Sequence, residues 1–111
     1  MKSFFGLAGF ATAVTMLGLA VVPAKAAAPD AKKGMEVFEQ CAVCHNADST
    51  EKKMGPGLKG LYKKAKLNNG KPVSDASVKA LINAGGNGMP PYADVLSDAE
   101  RADLIAYLKT L

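Results

Sequence analysis

Three stretches of the chain repeat apolar residues at helical spacing, and none alternates as a half-buried strand would. The first opens at Asp30, a suitable N-cap, and carries Ala31, Met35 and Phe38, which predicts a helix to about Gln40 or Cys41. Gly34 lies inside it at a cost of about 1 kcal/mol against alanine. Such a glycine asks for a packing reason, most simply the close approach of another helix. Met35 is expected in the core. The second stretch has Ser74 as a cap for a helix from Asp75 to about Asn83, with Val78, Leu81 and Ile82 on one face. Asp75 and Lys79 are spaced as an i,i+4 ion pair. The third is the best specified. Ser97-Asp98-Ala99-Glu100 matches a capping box, and Leu104, Tyr107, Leu108 and Leu111 follow as an apolar stripe. The fold class is all-α.

The connections are rich in turn residues. From Asn46 to about Leu67 the chain reads as loop, punctuated by Gly55-Pro56-Gly57, with a short helix expected near Leu58. Asn68-Asn69-Gly70 signals a turn and Pro72 a break. Gly85-Gly86-Asn87-Gly88 should end the second helix and lead, as a flexible loop, into Met89-Pro90-Pro91.

The first residues follow a different pattern. Lys2 precedes an apolar or small-residue run from Phe4 to Val22, and Ala24-Lys25-Ala26 has the small–any–small form of a signal-peptidase site. The run is long enough to span a bilayer as an uncleaved anchor. Its glycines and threonines, with Pro23 and the cleavage pattern directly behind it, favour a cleavable signal peptide over 1–26 and export to the periplasm. Residues 27–111 then form one small domain. A chain of this size buries little surface and commonly needs a metal, a disulfide or a cofactor to be stable.

Chemistry concentrates in Cys41-Ala42-Val43-Cys44-His45. These are the only two cysteines and the only histidine of the chain. C-x-x-C-H is the attachment pattern of a c-type haem. Two thiols three positions apart can each form a thioether to a haem vinyl group, and the adjacent imidazole then supplies an axial ligand. Three other readings are weaker. A redox dithiol expects βαβ periodicity, zinc needs four ligands where three are at hand, and a disulfide this short would be strained and would leave His45 without a role.

Iron held by His45 has a second axial position. Met35 precedes the motif on the same helix, and Met54 follows His45 on a short tether. Met89 stands in a loop between Gly88 and Pro90-Pro91, where glycine permits close backbone approach and proline stiffens the presentation of the sulfur. Met89 is the expected ligand.

The ordered set of motifs resembles the small class I bacterial c-type cytochromes across residues 27–111. It comprises Cys41-x-x-Cys44-His45, Gly55-Pro56-Gly57-Leu58-x-Gly60-Leu61-Tyr62, Gly88-Met89-Pro90-Pro91 and a helix at each end. The resemblance implies a cytochrome c fold, three to four helices around one covalently attached haem c. It implies thioethers from Cys41 and Cys44 and axial ligation by His45 and Met89. Pro56 matches the family's proline whose carbonyl accepts the imidazole N–H. Gly34, Phe38, Leu104 and Tyr107 look like the crossing of first and last helices. Tyr62 and Lys71 are candidate propionate contacts. The implied protein is no enzyme but a periplasmic one-electron carrier, cycling Fe(III)/Fe(II) between redox partners.

Charge adds little to this picture. The formal net charge is +4 for the whole chain and falls to +2 once Lys2 and Lys25 leave with the leader, so nucleic acid is not an indicated partner. Lys52, Lys53, Lys59, Lys63, Lys64, Lys66 and Lys71 crowd one stretch, while Asp94, Asp98, Glu100 and Asp103 lie near the end. A solvated loop accounts for the lysines. A docking patch near Lys63 and Lys64 for an acidic redox partner is the sharper reading. A free monomeric carrier, an electron-entry subunit of a larger periplasmic dehydrogenase or oxidase, and, less favoured, a haem peroxidase or gas-binding protein remain as functions. The last would need an open sixth site and a polar distal group, and no second histidine exists to serve.

Overall fold

The computed structural model describes residues 28–111 continuously and, before them, only the isolated positions Gly9, Ala11, Ala13, Thr15 and Gly18. The expected leader therefore lies almost wholly outside the described residues. Three α-helices follow in order: α1 (Ala31–Phe38), α2 (Asp75–Ala84) and α3 (Asp98–Leu108), with a short 3-10 turn over Leu61–Lys63 between α1 and α2. Among the described residues the only β-type pairings are two isolated bridges, Lys66 with Pro72 and Gly86 with Met89.

Each helix starts where the side chains can satisfy its first amides. The Asp30 carboxylate accepts from the Lys32 amide at 2.8 Å. Ser97 and Glu100 close a reciprocal box, with Glu100 N to Ser97 Oγ at 3.1 Å and Ser97 N to Glu100 Oε1 at 3.0 Å. Ser74 builds the same box with Ser77 in place of the usual glutamate. Helix α1 ends at Phe38, earlier than the periodicity suggested. Beyond it the chain tightens into turns in which the Cys41 and Ala42 amides share the Phe38 carbonyl, at 2.7 and 2.9 Å.

Helices α1 and α3 cross at Gly34. A Cβ there would strike the Asp103 main-chain carbonyl and lie 2.8 Å from Tyr107 Cβ. The helix propensity lost at Gly34 is thus offset by backbone contact that no larger residue permits. The crossing is tied by the Asp30 amide on Asp103 Oδ1 at 2.8 Å and by tilted Phe38 and Tyr107 rings, 5.4 Å apart. Around it Phe38, Leu61, Leu67, Val78, Ile82, Leu96, Leu104, Ile105 and Leu108 form the buried core.

Several expectations are corrected. Met35 is 54 % exposed, because Gly34 and Phe38, four apart, define the inward face and Met35 is turned about 100° away from Gly34. Asp75 pairs with Lys109 at 2.7 Å instead of Lys79, since the start of α2 lies beside the end of α3. The short helix begins at Leu61 rather than near Leu58, after Gly60 at φ +73°. Among the described residues no helix is long and apolar enough to cross a membrane.

Candidate haem-attachment site

The turn after α1 brings Cys41, Cys44 and His45 onto one short segment, with the His45 amide bonded to the Cys41 carbonyl at 2.9 Å. The following loop folds straight back over it. The Gly55 amide donates to the Cys44 carbonyl at 2.8 Å, and the Leu58 amide to the Asn46 carbonyl at 2.8 Å. These bonds carry Pro56 to the imidazole, where His45 Nδ1–H donates to the Pro56 carbonyl at 2.7 Å. An acceptor there selects the tautomer with its proton on Nδ1, so Nε2 presents the lone pair that a metal takes. Gly55 makes the approach possible: a Cβ on it would run into the ring, 2.8 Å from Nδ1.

No disulfide joins Cys41 and Cys44. Burial, and then the neighbouring Cys44, push the Cys41 thiol up from its ordinary pKa. Catalytic C-x-x-C pairs do the opposite, lowering one thiol into the thiolate range. Among the described residues no three His, Cys, Asp or Glu side chains gather as a cage for a metal ion, which a zinc site would need. A turn carrying two unpaired thiols and an imidazole of fixed tautomer fits a covalently attached haem.

Met89 is held in a second loop, whose glycines serve a defined turn. Gly86 and Met89 exchange main-chain hydrogen bonds at 2.9 and 3.0 Å. Asn87 and Gly88 between them have φ +52° and +88°, as a type I′ turn requires. A Cβ on Gly85 would collide with the Met89 and Pro90 main chain, so the loop is packed backbone on backbone. Its exit is anchored as well. The Tyr92 amide bonds to the Ile82 carbonyl of α2 at 3.0 Å. The Arg101 guanidinium of α3 donates to the carbonyls of Ala93 at 3.1 Å and Leu96 at 2.9 Å, and to Asp98 at 2.8 Å.

Arg101 is only 4 % exposed and was not anticipated. The available signal was its position, three and four residues before Leu104 and Ile105 and seven before Leu108 on the buried face of α3. Tyr92 was also missed. Burial, and then the nearby Cys41 and Cys44, raise its phenol pKa, so the Met89 loop leaves past the same two cysteines.

The remaining candidates lie elsewhere. Met54 is 79 % exposed, its Sδ 3.6 Å from Cys44 Sγ. The Tyr62 hydroxyl is buried without an aligned partner. Burial first, then the adjacent Asp75 carboxylate, raise its pKa, and Lys109 stands over its ring at 5.7 Å. Lys71 is exposed, its amide bonded to Asn69 Oδ1 at 3.0 Å.

Comparison with known proteins agrees with this geometry. The family model for cytochrome c matches residues 31–111. The chain is 33 % identical over 108 residues to cytochrome c2 of Blastochloris viridis, covering 82 % of this chain and 85 % of that one. Among solved structures it is similar to cytochrome c6 from the diatom Phaeodactylum tricornutum, at 25 % identity and TM-score 0.59 over 73 % of this chain and 92 % of that one. Cytochrome cH from Methylobacterium extorquens superposes with TM-score 0.58 at 27 % identity, over 74 % of this chain and 99 % of its own. The chain belongs to the cytochrome c family: it is an all-α electron-transfer protein with one covalently bound haem c, and not an enzyme.

Proposed function

We propose that this is a periplasmic carrier, released from residues 1–26, in which Cys41 and Cys44 form the thioethers and His45 and Met89 are the axial ligands. The observation that carries the reading is the 2.7 Å hydrogen bond from His45 Nδ1 to the Pro56 carbonyl. A partner on the far nitrogen fixes the ring and makes Nε2 a better donor to a metal. The haem iron supplies the one-electron Fe(III)/Fe(II) couple. Met89 is favoured for the opposite side because Met35 and Met54 are turned to solvent, while Met89 is partly buried in a loop tied at both ends. A thioether ligand favours the ferrous state and raises the potential. Main-chain bonds around both ligand loops support a small change of geometry between oxidation states.

Replacement Met89→Ala should lower the potential and admit carbon monoxide. An unchanged spectrum would assign the position to another residue. Mature protein beginning at Ala27 supports export, whereas retention of Lys2 in the membrane fraction supports an anchor. For the partner, the lysines at 63 and 64 are exposed on the 3-10 turn and its border. Electron transfer to an acidic partner should then weaken steeply with salt and with Lys63→Glu and Lys64→Glu. A flat response removes that docking face. The carrier is proposed to act as a monomer, which sedimentation at working concentration tests.

A further inference from the structure

The attaching turn ends with carbonyls that no continuing helix satisfies. Cys44 O receives the Gly55 amide at 2.8 Å. Ala42 O, between the two cysteines, receives a side chain from eleven residues downstream: Lys53 Nζ, at 3.1 Å. A cation at the carbonyl end of a helical turn is favourable both as a donor and through the turn's dipole. The same lysine's amide donates to the Gly55 carbonyl at 3.0 Å, so Lys53 holds the turn with its side chain and the Gly55-Pro56 segment with its backbone. Asn46 Nδ2 on the Glu51 carbonyl at 3.0 Å closes the loop between them.

We infer that Lys53 is a positioning residue of the haem-attaching turn: it caps the Ala42 carbonyl, clamps the 46–56 loop against the motif, and keeps a fixed positive charge beside the attached haem. Two consequences separate this role from that of the other lysines. The clamp restrains the loop that brings Pro56 to His45, so its loss should loosen the Gly55 and Leu58 amides. The fixed charge disfavours the more positive ferric state, so its loss should lower the reduction potential. Lys52, next in sequence and exposed, makes neither contact and serves as the control of equal formal charge.

The experiment uses the holoprotein. In the diamagnetic ferrous form, nuclear magnetic resonance of the wild type should show a slowly exchanging Lys53 ammonium correlated with the Ala42 carbonyl. A Lys53 ammonium as labile as that of Lys52 overturns the inference without any variant. In Lys53→Met, hydrogen exchange at Gly55 and Leu58 should accelerate about tenfold, the worth of one charge-assisted bond. The potential should fall further than in Lys52→Met, and Lys53→Arg should restore both readouts. Equal shifts at positions 52 and 53, with unchanged exchange, would reduce Lys53 to one solvated charge among several. The inference rests on haem attachment at Cys41 and Cys44 but not on the identity of the second ligand. A failure of His45/Met89 ligation would show in the wild-type spectrum and leave these readouts intact.

Discussion

The loops that carry His45 and Met89, the two proposed ligands, are held by different physical means. Around His45 every tie is local: Gly55 to Cys44, Leu58 to Asn46, Pro56 to the imidazole and Lys53 to Ala42 all join residues within about a dozen positions. Around Met89 the ties span no more residues, but the exit is held by partners that sit on helices, Ile82 of α2 and the buried Arg101 of α3. Short ties cost little loop-closure entropy and can form before the helices dock. Those on the methionine side are as short, but their partners are presented only once α2 and α3 are in place. The histidine side should therefore behave as a preformed clip, and the methionine side as a latch whose strength reports tertiary packing.

The largest effect expected from breaking this contrast is at Gly55. Gly55→Ala forces a Cβ into the His45 ring and should cost about 3 kcal/mol, the upper range for overpacking. Denaturant unfolding and the yield of attached haem measure it, and both should drop together because the clip is also where attachment occurs.

Next comes the latch. Arg101→Leu keeps the apolar stem but strips donors from the Ala93 and Leu96 carbonyls, a loss of about 2 kcal/mol. Added imidazole should then displace the methionine side severalfold more readily, while the amide of Gly55 keeps its exchange protection. Equal loosening of both loops would mean that they form one cooperative unit.

The smallest effect concerns a contact outside either loop. Burial raises the pKa of Tyr62, so the folded protein keeps its phenol protonated after the unfolded chain has begun to ionise at about pH 10. Stability from this group is fully present below that pH and is lost progressively as pH rises from it toward the raised folded-state value. Tyr62→Phe should flatten the alkaline fall in melting temperature. At the acid end the sign is reversed. The Lys109 hydrogen bond depresses the pKa of Asp75, so its contribution is present above the ordinary carboxylate range and fades as pH falls below it. The pair is half-exposed, and that contribution should be slight.

What the sequence determined on its own is what depends on near neighbours. Helix starts were legible because a cap and its amides lie within three residues, as at Ser97 and Glu100. The attachment motif was legible because thioether chemistry needs its cysteines on one turn. Gly34 announced a helix crossing, since nothing local compensates its lost propensity. Tertiary structure decided the rest. Met35 had helical spacing but faced solvent, because periodicity states that a face exists and packing chooses which one. Asp75 was paired by spacing with Lys79, and the docking of α3 beside α2 gave it Lys109 instead. Arg101 drew no expectation from the sequence, yet it is buried, its guanidinium on the Ala93 and Leu96 carbonyls of the segment leading into α3. A charge is carried into the core only when partners meet it there; the partners of Arg101 are near in sequence, but the core that buries it exists only after the helices have packed.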